Sequence, residues 1–192
     1  NFYKKVLKAN PNHSNSLFLL GSLLSKVKKY KKAKQLLIKA TKNEPNNFNA
    51  YNNLGNVYSE LQDFLNAANC YKMSIKINPK IADTYFNYGN ILKKLNKYKE
   101  SISNYEQVIK INLNYLNVRN NLGNVYKDIK DYKKAAKCYE EEIKLQPNNA
   151  GPYYNLGLVF YLQQDYQKAL YYYNEAIKIN PNNANIYKNL GN

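Results

Sequence analysis

The chain has 192 residues, 44% of them apolar, and 29 basic against 13 acidic residues give a formal charge of +16. That apolar content supports a packed structure, while no run approaches the ~18 apolar residues of a membrane span, so no membrane-spanning helix is expected. A single His, two Cys and the absence of a phosphate-cradling glycine loop leave catalysis and metal or cofactor binding without support, so the expected cofactor is none.

Residues 1–13 read as the end of a helix, with Phe2, Tyr3, Val6 and Leu7 at helical spacing and Pro11 stopping the pattern. A fixed period then takes over. Asn52-Asn53-Leu54-Gly55-Asn56-Val57-Tyr58 returns as Asn120-Asn121-Leu122-Gly123-Asn124-Val125-Tyr126, and Gly21, Gly55, Gly89, Gly123, Gly157 and Gly191 stand 34 residues apart. A period of this length marks stacked repeats. The units are 14–47, 48–81, 82–115, 116–149 and 150–183, and 184–192 open a sixth. A chain that starts and stops inside repeats, and has no secretory signal, is expected to be a stretch of a longer array.

With each unit numbered from 1, the periodic Gly is position 8. Positions 4, 7, 8 and 11 form the stripe of a first helix, as in Tyr51, Leu54, Gly55 and Tyr58. A break follows near position 16, where Asp63, Asp131 and Asp165 are placed to cap a second helix. That helix carries its own stripe, as in Ala67, Tyr71, Ser74 and Ile75, and Pro45, Pro79, Pro147 and Pro181 at position 32 end it. Cys70 and Cys138 share one position two units apart. Helices ~8–10 Å apart put them beyond disulfide range, so two free packing thiols point to a reducing compartment, the cytoplasm or nucleus.

The fifth unit has Tyr153, Leu156, Gly157, Phe160, Ala169, Tyr173, Ala176 and Pro181 at positions 4, 7, 8, 11, 20, 24, 27 and 32. This resembles the tetratricopeptide repeat, and the match recurs in register over essentially the whole chain. The expected fold is therefore all-α, a tetratricopeptide-repeat α-solenoid. The resemblance implies a right-handed superhelix of antiparallel helix pairs whose first helices line a concave groove.

Positions 2, 6, 9 and 13 form a second stripe about 200° from the core stripe, facing that groove. Position 6 is Asn53, Asn87, Asn121, Asn155 and Asn189, and position 9 includes Asn56, Asn90 and Asn124. With 34 Asn in the chain, composition alone explains some of this, but five Asn at one position exceeds it. An Asn amide offers both donors and an acceptor, so a row of them can hold the backbone of an extended peptide. The row resembles the asparagine ladder in the tetratricopeptide region of O-linked N-acetylglucosamine transferases. Nothing resembles that enzyme's catalytic domain. The carboxylate clamp of chaperone adaptors is absent from the five complete units, and only Lys188 with Asn192 matches its first half.

The expected partner is thus a protein or peptide segment. Lys93, Lys94 and Lys127 near the groove suggest a preference for acidic stretches, tempered by Glu60 and Asp128. Nucleic acid is the weaker reading of the charge, because Arg119 is the only Arg and many of the 21 Tyr stand at packing positions. Two further readings are the substrate-selecting arm of a larger enzyme, such as a glycosyltransferase, and a structural arm of a multiprotein assembly. The fourth unit departs from the pattern with Arg119 at position 4 and Glu142 at position 27, and an ion pair between them is expected. Leu113 in place of the position-32 Pro is expected to leave the preceding joint less sharply ended.

Overall fold

A computed structural model describes residues 2–182. Among them, the regular structure is helical throughout. The helices are α1 (Phe2–Ala9), α2 (Ser14–Lys26), α3 (Tyr30–Asn43), α4 (Phe48–Glu60), α5 (Phe64–Ile77), α6 (Ala82–Lys94), α7 (Tyr98–Ile111), α8 (Val118–Asp128), α9 (Tyr132–Leu145), α10 (Ala150–Leu162) and α11 (Tyr166–Ile179).

The chain divides into two compact units, residues 1–97 and 98–192. In the first, each helix packs on its neighbours in sequence, and the first helices α2, α4 and α6 also touch in turn. In the second, α7 to α11 pack the same way, and α8 touches α10.

Close approach within each pair depends on the glycine. A Cβ built on Gly55, Gly123 or Gly157 would lie 2.8, 2.6 or 2.7 Å from the ring of Tyr71, Tyr139 or Tyr173. No real side chain tolerates that distance, so these positions admit only Gly while the ring stays in place. Gly21 faces the more pliant Leu37, whose Cγ would be 2.9 Å away.

A second buried stripe, which the position-4-to-11 reading misses, joins one pair to the next. Position 3 (Ser16, Ala50, Thr84, Val118) is buried throughout, as is position 10 from α4 onward (Val57, Ile91, Val125, Val159). Val159 and Leu156 cluster with Ala135 and Tyr139 of the preceding helix, and Ile91 clusters with Ala67 and Tyr71. The first helix is therefore apolar on two faces, one for its partner and one for the pair before it.

The helix ends follow local chemistry. Asp63, Asp131 and Asp165 accept the N–H of Asn66, Lys134 and Lys168 and cap α5, α9 and α11. His13 caps α2 by accepting the Ser16 N–H on Nδ1. The turn between paired helices is made at position 15, where Lys28, Gln62, Asn96, Lys130 and Gln164 all adopt φ near +60° without a glycine.

Two expectations for the fourth unit are corrected. Despite Leu113, α7 ends at Ile111, the same position as Ile77 in α5 and Ile179 in α11. The Asn112 side chain closes the following turn by accepting the Asn114 N–H at 3.0 Å, so Pro is not needed to stop the helix. The irregularity falls instead on α8, which starts two residues late after Asn117 at φ 65°.

The expected Arg119–Glu142 ion pair is replaced by a different arrangement. The Arg119 Nε pairs with Glu141 at 3.3 Å. Glu142, fully buried, accepts the backbone N–H of Asn117 at 2.6 Å and of Arg119 at 3.2 Å, and also accepts from the Gln146 amide. The carboxylate supplies the cap that the shortened α8 lacks, since the unsatisfied N–H groups and partial positive charge of a helix start hold a buried anion.

Candidate functional site

The position-6 and position-9 asparagines are half-buried on the first helices, Asn53 and Asn56 on α4, Asn87 and Asn90 on α6, Asn121 and Asn124 on α8, and Asn155 on α10. Asn189 lies outside the described residues, as do Lys188 and Asn192. These positions share one face because residues three and four apart on a helix are neighbours.

Their amides are engaged with one another and with the core. In residues 1–97, Asn53 Nδ2 donates to Ser22 Oγ at 2.8 Å, and that hydroxyl donates to the Phe18 carbonyl at 2.8 Å. Asn87 Nδ2 donates to Asn56 Oδ1 at 3.3 Å. The same oxygen receives the Tyr71 hydroxyl at 2.7 Å. A buried tyrosine at position 24 thus ends on position 9 of its own pair, and position 6 of the next helix joins the same oxygen.

Residues 98–192 repeat the first link and vary the second. Tyr139 donates to Asn124 Oδ1 at 2.9 Å. Asn155 donates instead to Asn120 Oδ1, at position 5, at 2.9 Å. Asn121 is hydrogen-bonded to the Tyr105 hydroxyl. At position 9 of α10 stands Leu158, half-buried and with no acceptor to offer Tyr173.

These bonds fix polarity. Asn56 has both lone pairs of its oxygen in use, so its NH2 group is the end left for a ligand. The same holds in part for Asn124. Sequence reasoning placed these residues on one face but missed the tyrosine beneath them, although Tyr71, Tyr105, Tyr139 and Tyr173 recur 15 residues after position 9. It also missed Asn120 as a ladder member, having read position 5 only against the clamp.

The lysines named with the ladder are dispersed. Lys94 is exposed, and its ammonium lies 4.8 Å from the Phe64 ring centroid at the start of α5. Lys93 and Lys127 are half-buried near the C-terminal ends of α6 and α8.

Burial pushes the hydroxyl pKa values of Tyr71, Tyr105 and Tyr139 well above the ordinary tyrosine value. It pushes the thiols of Cys70 and Cys138 up to about 12. Both cysteines are free and buried. Among the described residues, no group of three His, Cys, Asp or Glu is gathered as metal ligands require, and no helix is long and apolar enough to cross a membrane.

Comparison with known proteins agrees with this architecture. Models of the tetratricopeptide repeat match residues 48–81 and 150–183, and also 2–35 and 70–103, while a TPR repeat model matches 89–130 and 123–164. Together they cover most of the chain. No curated protein matches by sequence. Among solved structures, YrrB, described as a TPR protein with an unusual peptide-binding site, superposes with a TM-score of 0.85 at 20% identity, covering 100% of this chain and 99% of its own. MamA from Desulfovibrio magneticus RS-1 gives 0.83 at 16% identity, covering 89% of this chain and 97% of its own. PilF of Pseudomonas aeruginosa gives 0.77 at 22% identity, over 90% of this chain and 79% of its own.

Proposed function

Since the chain belongs to the tetratricopeptide-repeat family, we propose that it is a non-catalytic protein–protein interaction module. In each compact unit the asparagine face of the first helices holds an extended segment of a partner, on Asn53, Asn56, Asn87 and Asn90 in residues 1–97 and on Asn121, Asn124 and Asn155 in residues 98–192. One observation carries the reading. The oxygens of Asn56 and Asn124 are bonded to buried tyrosines, and Asn53, Asn87 and Asn155 each donate one N–H to a neighbouring first helix, which orients these side chains and leaves the NH2 groups of Asn56 and Asn124 and the second N–H of the other three for a ligand. Pre-oriented donors lower the entropic cost of gripping a flexible chain. They suit backbone carbonyls and side-chain carboxylates, and Lys93, Lys94 and Lys127 favour the latter. A likeness in fold to a structure described as having a peptide-binding site supports the same reading.

The test is affinity capture from a lysate, followed by peptide mapping of the captured proteins. Wild type is compared with a variant carrying Asn53→Ala, Asn87→Ala, Asn121→Ala and Asn155→Ala, both first shown to be equally helical. The reading expects captured partners to be lost or weakened in the variant, and their bound segments to protect the first helices from hydrogen exchange. Equal capture by both proteins would remove the ladder from consideration as a ligand grip. It would leave the asparagines as struts between repeats.

A further inference from the structure

The charge is unevenly distributed. Residues 1–43 hold eleven lysines and no Asp or Glu, and six of those lysines fall between Lys26 and Lys34. Their centre is the turn from α2 to α3. There, Lys28, Lys29, Tyr30, Lys31 and Lys32 line, with Leu61, an open pocket of about 520 Å³. This pocket lies in the turn between helices, apart from the asparagines on the first helices.

Other turns show what is unusual here. Positions 16 and 19 pair Asp131 with Lys134 at 3.1 Å and Asp165 with Lys168 at 2.8 Å. At Asp63 and Asn66 they form a hydrogen bond, and at Lys97 and Glu100 the charges are opposite. In the α2–α3 turn the same positions are Lys29 and Lys32. The local attraction built into the other turns becomes repulsion. None of Lys28, Lys29, Lys31 and Lys32 has a carboxylate within ion-pair distance among the described residues. One acid, Glu60, stands beside the Tyr30 hydroxyl and is bonded to it. Four like charges around one pocket repel one another, and an anion placed between them relieves that repulsion.

We propose that this lysine pocket is a second binding site, taking a cluster of consecutive Asp or Glu side chains from a protein partner. The site is compact, and its cations are flexible point charges without the planar fork of Arg. Such cations accept a short run of carboxylates in many geometries. The pocket has no Arg to read bases, and its one ring, Tyr30, is half-buried and offers little to stack a base on. An acidic peptide therefore fits it better than a nucleic acid.

The experiment measures fluorescence anisotropy of a labelled hexaglutamate peptide at moderate salt. Replacing Lys28, Lys29, Lys31 and Lys32 together with Gln is expected to weaken binding by at least about tenfold. Replacing Lys39, Lys42, Lys72 and Lys76 with Gln removes the same charge elsewhere and is expected to change affinity by less than about threefold. Lys29→Asp introduces the acid that Asp63, Asp131 and Asp165 supply at this position in other turns. It is expected to raise the melting temperature while lowering affinity, which separates binding from folding. Asn53→Ala with Asn87→Ala is expected to leave the peptide bound, so this site stands or falls apart from the ladder. Equal weakening by both four-lysine variants would overturn the proposal, as would wild-type affinity in Lys29→Asp or loss of the peptide from the ladder variant. Tighter binding of a single-stranded oligonucleotide or an anionic vesicle through the same lysines would overturn it in favour of that occupant.

Discussion

The bond between Tyr139 and Asn124 can be isolated more cleanly than any other in the ladder. Tyr139 is fully buried, and its hydroxyl donates to Asn124 Oδ1 at 2.9 Å. Asn155, which could have competed for that oxygen, bonds Asn120 instead. Tyr139→Phe removes one hydrogen bond and leaves a half-buried amide that water can satisfy, a loss of about 0.5–1.5 kcal/mol. Asn124→Leu, which copies Leu158 of the next pair, leaves a buried hydroxyl with no acceptor and costs about 1–3 kcal/mol. Combining the two removes both halves of the bond. The double variant should therefore be less destabilised than the sum by roughly 1 kcal/mol. In a chain of this length, each kcal/mol corresponds to ~2–4 °C in Tm. Urea unfolding followed by circular dichroism gives the midpoints, and hydrogen exchange in α8 and α9 localises the effect if the array unfolds in stages. Strict additivity, within ~0.3 kcal/mol, would show that Asn124 does not hold Tyr139 and would refute the linkage between face and core.

Gly123→Ala should cost about 1–3 kcal/mol, because its new methyl meets a tyrosine ring pinned by Asn124, whereas Gly21→Ala should cost less, since Leu37 can shift rotamer. The difference in Tm between the two variants is the measurement. Glu142→Ala should cost roughly 3 kcal/mol or more, leaving the N–H groups of Asn117 and Arg119 without their acceptor. Adding Arg119→Tyr, which reproduces the Tyr153 and Ala176 pairing of the fifth unit, should recover part of that loss in denaturant titrations. Cys70 and Cys138 should resist thiol reagents at pH 8 until the protein unfolds, because burial holds both thiols up at about 12. An acid whose pKa is raised by folding stabilises below its unfolded value. That contribution should be complete below pH 9 and fall away as pH rises from about 9 toward 12, read as falling Tm with faster labelling by a thiol reagent.

What the sequence revealed and what it concealed divide along physical lines. The 34-residue spacing of Gly21 through Gly157 and the caps at Asp63, Asp131 and Asp165 are legible, because sterics and local hydrogen bonding act through one or a few neighbouring residues. The stripe at positions 3 and 10 was missed because a helix buried on two faces blurs the single-face pattern that periodicity detects. The turn at position 15 was invisible because Lys28, Gln62 and Lys130 are poor advertisements for a left-handed residue. Arg119 and Glu142 were recognised as coupled departures, yet side-chain charges alone suggested the wrong partners. The carboxylate's true partners are backbone N–H groups, which no residue letter displays. For the ladder, the face was legible and the tyrosine beneath it was not, since it comes from the other helix of the pair.

The chain has 21 tyrosines, six phenylalanines and no tryptophan, so phenol rings dominate its near-ultraviolet absorption. Two of those phenols, Tyr71 and Tyr139, end on Asn56 and Asn124. A ligand that pulls on either amide also loosens or tightens the hydrogen bond of a ring inside the protein. A ligand on the asparagine face would thus perturb an intrinsic chromophore, and titration of a candidate partner can be followed by tyrosine difference absorption without attaching a dye.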